Sequence, residues 1–261
     1  MLTLGVDVGS TTVKIAFFDG EGFPHTDVLP TGPRPRETLA RLLEDAVRKG
    51  FDYREAALTA ATGYGRRLVD FADFRMSEIT ANAAAVVHET RRLGLSARTI
   101  VDIGGQDSKV IALREDGSVE DFVMNDKCAA GTGRFLEVMA RILETDVGEL
   151  GNLDAGESGG VKINATCTVF AESEVVSLIA EGAEVGRIVN ALHASIASRI
   201  ASMAARLNCG PDFVCDGGPA LNPGLVRALE AAFGGKFSVP SDPRTMAAKG
   251  AALAAARRAG L

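Results

Sequence analysis

Two stretches decide the architecture of this chain: VDVGSTTVKIAFFDGEGF, from Val6 to Phe23, and VDIGGQDSKVIALREDGSV, from Val101 to Val119. Asp7 matches Asp102, Gly9 matches Gly104 and Lys14 matches Lys109, each pair 95 positions apart. Each stretch has an apolar run, a Gly-containing turn and a second apolar run, the pattern of a β-hairpin. Asp19-Gly20 and Asp116-Gly117 are turn dipeptides, so a third strand is predicted after each. The chain therefore reads as α/β, built from two related halves of the order βββαβα with a cleft between them.

Helical spacing supports this outline. Leu39, Leu42, Leu43 and Val47 predict a helix over Pro35–Lys49, and Glu78–Leu93 and Arg134–Leu143 follow suit. Phe170–Glu181 reads as another helix. Ile188, Leu192, Ile196, Ile200, Met203 and Leu207 form one stripe of a long helix over Val185–Leu207. A short strand at Phe213-Val214-Cys215 runs into Asp216-Gly217-Gly218, and a helix opens at Asn222-Pro223, where Asn can cap and Pro fits the first turn. Lys236–Val239 suggests a last strand and Thr245–Arg258 a closing Ala-rich helix. The expected division is 1–95, with 245–261 packing back on it, and 96–244.

The turns carry the chemistry. Asp7, at the end of a buried strand, is followed by Gly9, Ser10, Thr11 and Thr12. Glycine lets backbone N–H groups approach phosphate oxygens, and the hydroxyls add donors. A carboxylate can hold Mg²⁺ through its water shell, and Lys14 can offset phosphate charge. Two copies in register make a nucleotide phosphate site a better reading than a plain polar turn. The glycine pair at Gly217-Gly218 allows adenosine to approach the backbone, and the helix after it presents a favourable dipole. Other nucleotide motifs are absent: there is no G-x-x-x-x-G-K-[ST], and Gly63-Tyr64-Gly65 fails the full G-x-G-x-x-G pattern.

Composition narrows the classes. Of 261 residues, 46% are hydrophobic, enough for a packed core and too many for a disordered chain. The net charge of −6 argues against wrapping nucleic acid, which needs a cationic footprint. No apolar run reaches the ~18 residues of a membrane span, and Met1–Asp7 has no secretory character, so a cytoplasmic location is expected. Four cysteines without tight spacing are too few for a disulfide scaffold. Cys209 and Cys215 read as buried apolar residues. Cys128 and Cys167 each precede a predicted helix, whose positive end favours a thiolate or an anionic cluster bound to it.

Duplicated phosphate hairpins with a late Gly-Gly turn resemble the acetate kinase, sugar kinase, heat-shock chaperone and actin superfamily, which implies a two-domain actin-like ATPase fold. More specifically, DKCAAGTGRFLE around Cys128 and NATCTVFAESEV around Cys167 resemble the ATP-dependent activators of 2-hydroxyacyl-CoA dehydratases. That family also includes ATPase subunits of benzoyl-CoA reductases and reductases of double-cubane cluster proteins. The resemblance implies an ATP-hydrolysing reductase that passes a low-potential electron from ferredoxin or flavodoxin to a partner enzyme. It also implies a homodimer whose Cys128 and Cys167, two per chain, together hold one [4Fe–4S] cluster. A small-molecule kinase of the same fold is the competing activity.

Within that resemblance Asp7 and Asp102 take the Mg²⁺ water and phosphate geometry. Ser10, Thr11, Thr12, Lys14, Gly104, Gly105, Gln106 and Lys109 are the phosphate contacts, with Gly9 shaping the first turn and Gln106 also placed to orient the attacking water. Gly217, Gly218 and Asn222 frame ATP or ADP at the adenosine end. The sequence departs from the family at Pro219, where Val is usual, and at Pro243-Arg244, where Pro-Gln is common. Arg244 is the residue there that could stack on adenine. His25, His88 and His193 read as surface or helix histidines, and Arg66-Arg67 and Arg91-Arg92 as solvated faces, with Arg66-Arg67 the alternative contact for an acidic electron donor.

Overall fold

Leu4, Val6 and Val8 alternate with Thr3, Gly5 and Asp7, and both sets are buried, as expected of a strand covered on two faces. The computed structural model describes residues 1–164 and 167–261. In it this strand, β1 (Thr3–Val8), pairs antiparallel with β2 (Thr12–Phe18), which pairs antiparallel with β3 (His25–Pro30). Helix α1 (Pro35–Arg48) begins at the proline and buries Leu39, Leu42, Leu43 and Ala46. Then come β4 (Thr59–Thr62), parallel to β1, β5 (Phe74–Arg75), parallel to β4, and α2 (Glu78–Arg92). The sheet order is β3-β2-β1-β4-β5.

The same plan recurs. Strands β6 (Thr99–Ile103), β7 (Ser108–Leu113) and β8 (Val119–Asn125) follow one another, with β6 antiparallel to β7. Four helices come next: α3 (Gly133–Ile142), α4 (Leu150–Leu153), α5 (Thr168–Ala180) and α6 (Val185–Ala204). Strand β9 (Phe213–Asp216) returns parallel to β6, α7 (Pro223–Phe233) follows, and β10 (Phe237–Ser238) adds parallel to β9. The order β10-β9-β6-β7-β8 repeats that of the first sheet, with two parallel strands added beside the leading strand. Helix α8 (Met246–Ala259) closes the chain.

Two compact units result, one of Met1–Ala97, Leu113–Val119 and Pro240–Leu261, the other of Arg98–Ala112 and Glu120–Val239. In the first, Leu4, Val6, Val13, Ile15 and Phe17 meet the apolar face of α1. On the other face of the sheet lies α8, close enough that a Cβ at Gly5 would collide with the Ala248 carbonyl and would reach within 3.0 Å of its carbon. Alanine at Ala248, Ala251, Ala252, Ala255 and Ala256 is what lets the helix come so near, since a larger side chain would hold it away. In the second unit one core joins Phe135, Leu136 and Met139 of α3, Ala171 and Val175 of α5, Ile188, Val189, Leu192, Ile196 and Ile200 of α6, and Leu225 and Leu229 of α7. The α6 stripe falls where expected, although the helix ends at Ala204 and Leu207 packs on the core from beyond it. Strand β4 escapes sequence reading because Thr59-Ala60-Ala61-Thr62 lacks large apolar residues; it is central only because small side chains fit between neighbours.

The histidine expectation is corrected for His25, a buried strand residue, whereas His88 and His193 are helix residues as expected but are not solvent-facing. His193 is fully buried in α6, and His25 is 9% exposed and stacked on Phe51. His88 is half-buried and packs edge-on against Phe18 and Phe23. An imidazole is apolar enough to fill a core position when its nitrogens find partners or stay unprotonated. Burial pushes all three below the ordinary histidine value.

Candidate functional site

In the first unit the hairpin register sets Asp7 opposite Lys14, and Lys14 Nζ donates to Asp7 Oδ2 at 2.7 Å. The tip is tied by Gly9 N–H to the Thr12 carbonyl at 3.0 Å, and by the Thr31 hydroxyl, which donates to the Gly9 carbonyl at 2.8 Å. Asp7 is almost wholly buried. Its Oδ1 and the Thr11 hydroxyl are buried without a hydrogen-bond partner. An oxygen left so costs about 1–3 kcal/mol, which suits a carboxylate that receives a ligand or a hydrated cation. Gly63 sits at φ +92°, and a Cβ there would strike Asp7 Oδ1 and the Val8 carbonyl. The Gly63-Tyr64-Gly65 stretch that failed as a nucleotide motif is thus the backbone wall beside Asp7, and Arg66 Nη1 donates to the Gly63 carbonyl at 3.0 Å. Arg66 is therefore built into this loop, while Arg67, Arg91 and Arg92 are exposed.

The second unit repeats the arrangement. Asp102 faces Lys109, whose Nζ lies 3.1 Å from Asp102 Oδ2 and 2.9 Å from Asp107 Oδ2. Gly104 N–H donates to the Asp107 carbonyl at 2.9 Å. The carbonyls of Gly104 and Gly105 accept from the N–H groups of Gly133 and Arg134 at 2.9 and 2.8 Å. The first turn of α3 is thereby spent on the hairpin tip, and Gln106 stands exposed at its end. Parallel register sets Asp216, the buried last residue of β9, beside Asp102. The sequence places Asp216 at the start of the turn with the glycine pair but assigns it no role of its own, and the structure sets its strand position beside Asp102.

Gly217 adopts φ +84° and its Cβ position would meet the Ile103 carbonyl, so the loops after β6 and β9 lie side by side. Nothing lies within 4 Å of a Cβ placed on Gly218, which leaves its backbone open to a ligand. Asn222 does cap α7, its Oδ1 accepting from Leu225 N–H at 3.0 Å. Its Nδ2 lies 3.0 Å from His193 Nε2, and His193 Nδ1 lies 2.5 Å from Asp154 Oδ2. Burial alone would raise Asp154, yet hydrogen bonds from His193, from Asn190 Nδ2 at 2.9 Å and from Gly156 N–H at 2.8 Å hold it below the ordinary carboxylate value. Burial wins at His193 over the pull of Asp154, so the ring stays neutral. Arg244, in the first unit, pairs with Asp242 at 3.2 Å.

All four cysteines are free thiols. Cys215 is fully buried in β9, and burial followed by the Asp216 and Asp102 carboxylates pushes its thiol well above the ordinary value. Burial also raises Cys209, which donates to the Ala204 carbonyl. Cys128 and Cys167 are half-exposed. The Cys128 loop is pinned by Asn125 Nδ2, which donates to the Cys128 and Ala130 carbonyls at 2.8 and 3.2 Å. Cys128 precedes Thr132, the N-cap of α3, whereas Cys167 is itself the N-cap of α5. Ala165 and Thr166, in the quoted NATCTVFAESEV segment, lie outside the described residues. Helix α5 turns Val169 (66% exposed), Phe170 (70%), Val176 and Ile179 outward. Among the described residues no three His, Cys, Asp or Glu side chains converge as a metal site, and no helix is long and apolar enough to cross a membrane.

Comparison with known proteins identifies the lineage, since residues 4–255 match the BadF/BadG/BcrA/BcrD ATPase family. The chain belongs to that family. It is 42% identical over 257 residues to the activator of lactoyl-CoA dehydratase of Anaerotignum propionicum, covering 97% of this chain and 96% of the relative. Among solved structures, the activator of the 2-hydroxyisocaproyl-CoA dehydratase from Clostridium difficile, with bound ADPNP, superposes with a TM-score of 0.89 at 40% identity, over 100% of this chain and 96% of the other. Component A of the Acidaminococcus fermentans (R)-2-hydroxyglutaryl-CoA dehydratase gives 0.91 at 39% identity, over the full length of both. The fold is the actin-like ATPase fold expected from the paired hairpins. A glucokinase of the ROK family from Streptomyces griseus shares that fold at 13% identity.

Proposed function

We propose that this member of the family is an ATP-hydrolysing one-electron reductase that activates a partner enzyme, such as a 2-hydroxyacyl-CoA dehydratase. The observation that carries the proposal is the pair of free, half-exposed thiols in the second unit, one of them opening a helix that turns Val169, Phe170, Val176 and Ile179 outward. Cys128 and Cys167 fit a thiolate-bound cluster: both are reachable, and at Cys167 the α5 N-terminus favours negative charge. Two ligands per chain fall short of the four that a [4Fe–4S] cluster usually takes, and a two-fold homodimer supplies the rest. A second copy is the occupant proposed for the Val169, Phe170, Val176 and Ile179 face, because apolar side chains so exposed gain by being covered. When bound, the cluster supplies low-potential one-electron transfer from a ferredoxin or flavodoxin to the partner.

The chain's own residues do the nucleotide work. The buried Asp7 carboxylate, with Oδ1 unpartnered, fits a hydrated Mg²⁺, and Lys14 balances its charge. Ser10, Thr11 and Thr12 offer hydroxyls to phosphate. In the second unit Asp102 and Lys109 form the equivalent pair, Gly104 and Gly105 shape the tip, and Gln106 is free to orient a water. Gly218 presents open backbone to adenosine, and Gly217 and Asn222 frame the turn on either side of it. A benzoyl-CoA reductase component of Thauera aromatica, 30% identical over 238 residues, supports a ring reductase as the alternative acceptor enzyme.

The test is anaerobic reconstitution of the full chain with iron and sulfide. Brown protein with about four irons per dimer, ATP hydrolysis, and loss of iron in Cys128→Ser and in Cys167→Ser are expected. A colourless monomer that phosphorylates a sugar refutes it.

A further inference from the structure

His193 is a fully buried polar side chain that neither nucleotide binding nor the cysteines use. Its protonation is settled by geometry. Asn222 Oδ1 is occupied by Leu225 N–H, so the amide nitrogen must be the atom that faces His193. An amide nitrogen only donates, so His193 Nε2 accepts, and the ring proton sits on Nδ1 and is donated to Asp154 Oδ2. The remaining Asp154 oxygen takes Asn190 Nδ2 and Gly156 N–H. Each group in this chain thus has its hydrogen-bonding capacity assigned to a neighbour, and none can shift without stranding another in a buried site.

The two ends of the chain of bonds lie on different elements. Asn222 ends the turn that begins at Gly217 and caps α7. His193 and Asn190 lie midway along α6. That helix neighbours α5 in one core, to which α6 contributes Val189, Leu192 and Ile196 and α5 contributes Ala171 and Val175, and Cys167 opens α5. A nucleotide that displaces the Gly217–Asn222 turn therefore pulls on α6 through a rigid polar contact, where apolar packing alone would let the surfaces slide.

We propose that His193 is a positioning residue: it fixes the Gly217–Asn222 turn to α6 and so couples nucleotide at that turn to the helix that carries Cys167. The coupling rests on nucleotide binding as proposed above, and its link runs through His193, Asp154 and Asn190, which the family resemblance does not assign.

The experiment uses the full chain without iron, under reducing conditions. The rate of alkylation of Cys167 is followed by mass spectrometry with and without ATP, ADP or a non-hydrolysable analogue, and nucleotide affinity is measured by calorimetry. In the unsubstituted chain nucleotide should change the Cys167 rate by about fivefold or more, the lower range of a coupling between sites. His193→Asn keeps a donor for Asp154 and removes the acceptor for Asn222, so the change should vanish while nucleotide still binds. Asp154→Asn places an amide against Asn190 and should weaken it as well. Hydrogen exchange in the unsubstituted chain gives an independent readout, since nucleotide should protect the Leu225 amide and the 190–196 stretch of α6 together. Intact coupling in both variants, with only a lowered melting temperature, overturns the proposal, as does nucleotide binding that leaves Cys167 and α6 unchanged. Absence of nucleotide binding in the unsubstituted chain removes the proposed function itself, and the coupling with it.

Discussion

Gly63 and Gly20 form a natural pair for measuring what the wall beside Asp7 contributes. Both have positive φ, +92° and +102°, so alanine at either position incurs backbone strain of about 1–3 kcal/mol. Their surroundings differ. Nothing lies within 4 Å of a Cβ on Gly20, whereas at Gly63 the new methyl would strike Asp7 Oδ1 and the Val8 carbonyl, whose carbon is 2.6 Å away. Two of those atoms belong to the β1 backbone, which is held in the sheet by β2 and β4 and cannot move cheaply. Overpacking of this kind adds about 1–3 kcal/mol, giving about 2–6 kcal/mol for Gly63→Ala against about 1–3 for Gly20→Ala. Thermal unfolding of the two variants side by side reads the difference. At about 2–4 °C per kcal/mol in a chain of this size, Gly63→Ala should melt at least about 2 °C below Gly20→Ala. The displaced Asp7 should also weaken ATP binding in Gly63→Ala alone. Equal melting temperatures, or equal ATP affinity in the two variants, would refute the claim that Gly63 is required by close approach and not merely by its turn.

Two further outcomes follow from burial and exposure. Phe170→Asp forfeits about 1.5–3 kcal/mol of side-chain burial in each copy of the proposed dimer, so light scattering of the reconstituted protein should show a dissociation constant raised about a hundredfold or more; unchanged dimer mass at low concentration would rule out the α5 face. His25, His88 and His193 are all held below the ordinary value of 6.5, chiefly by burial. Below that value the unfolded chain binds protons that the folded chain does not, so stability present at higher pH is lost as pH falls. The melting temperature should drop between about pH 7.5 and 5.5, and a flat or rising profile would contradict the buried, neutral histidines.

Much of this protein is legible without coordinates. The paired strands, their Asp and Lys in register, the Asn222 cap and the α6 stripe depend on local alternation, helical spacing and turn chemistry, which neighbouring residues impose on one another. The cysteine segments are equally local, and the family to which they point is the one the chain belongs to. What tertiary structure alone decided are the contacts between positions distant in sequence. Gly63 stands against Asp7, and α8 lies so close on β1 that only Gly5 and small alanines fit. His193, with no carboxylate near it in sequence, meets Asp154 from 39 positions away and Asn222 from 29. Sequence spacing constrains only a few residues either side of any position. Which buried polar groups become partners is set by the packing of whole elements, because a polar atom removed from water must take whatever partner the fold brings to it.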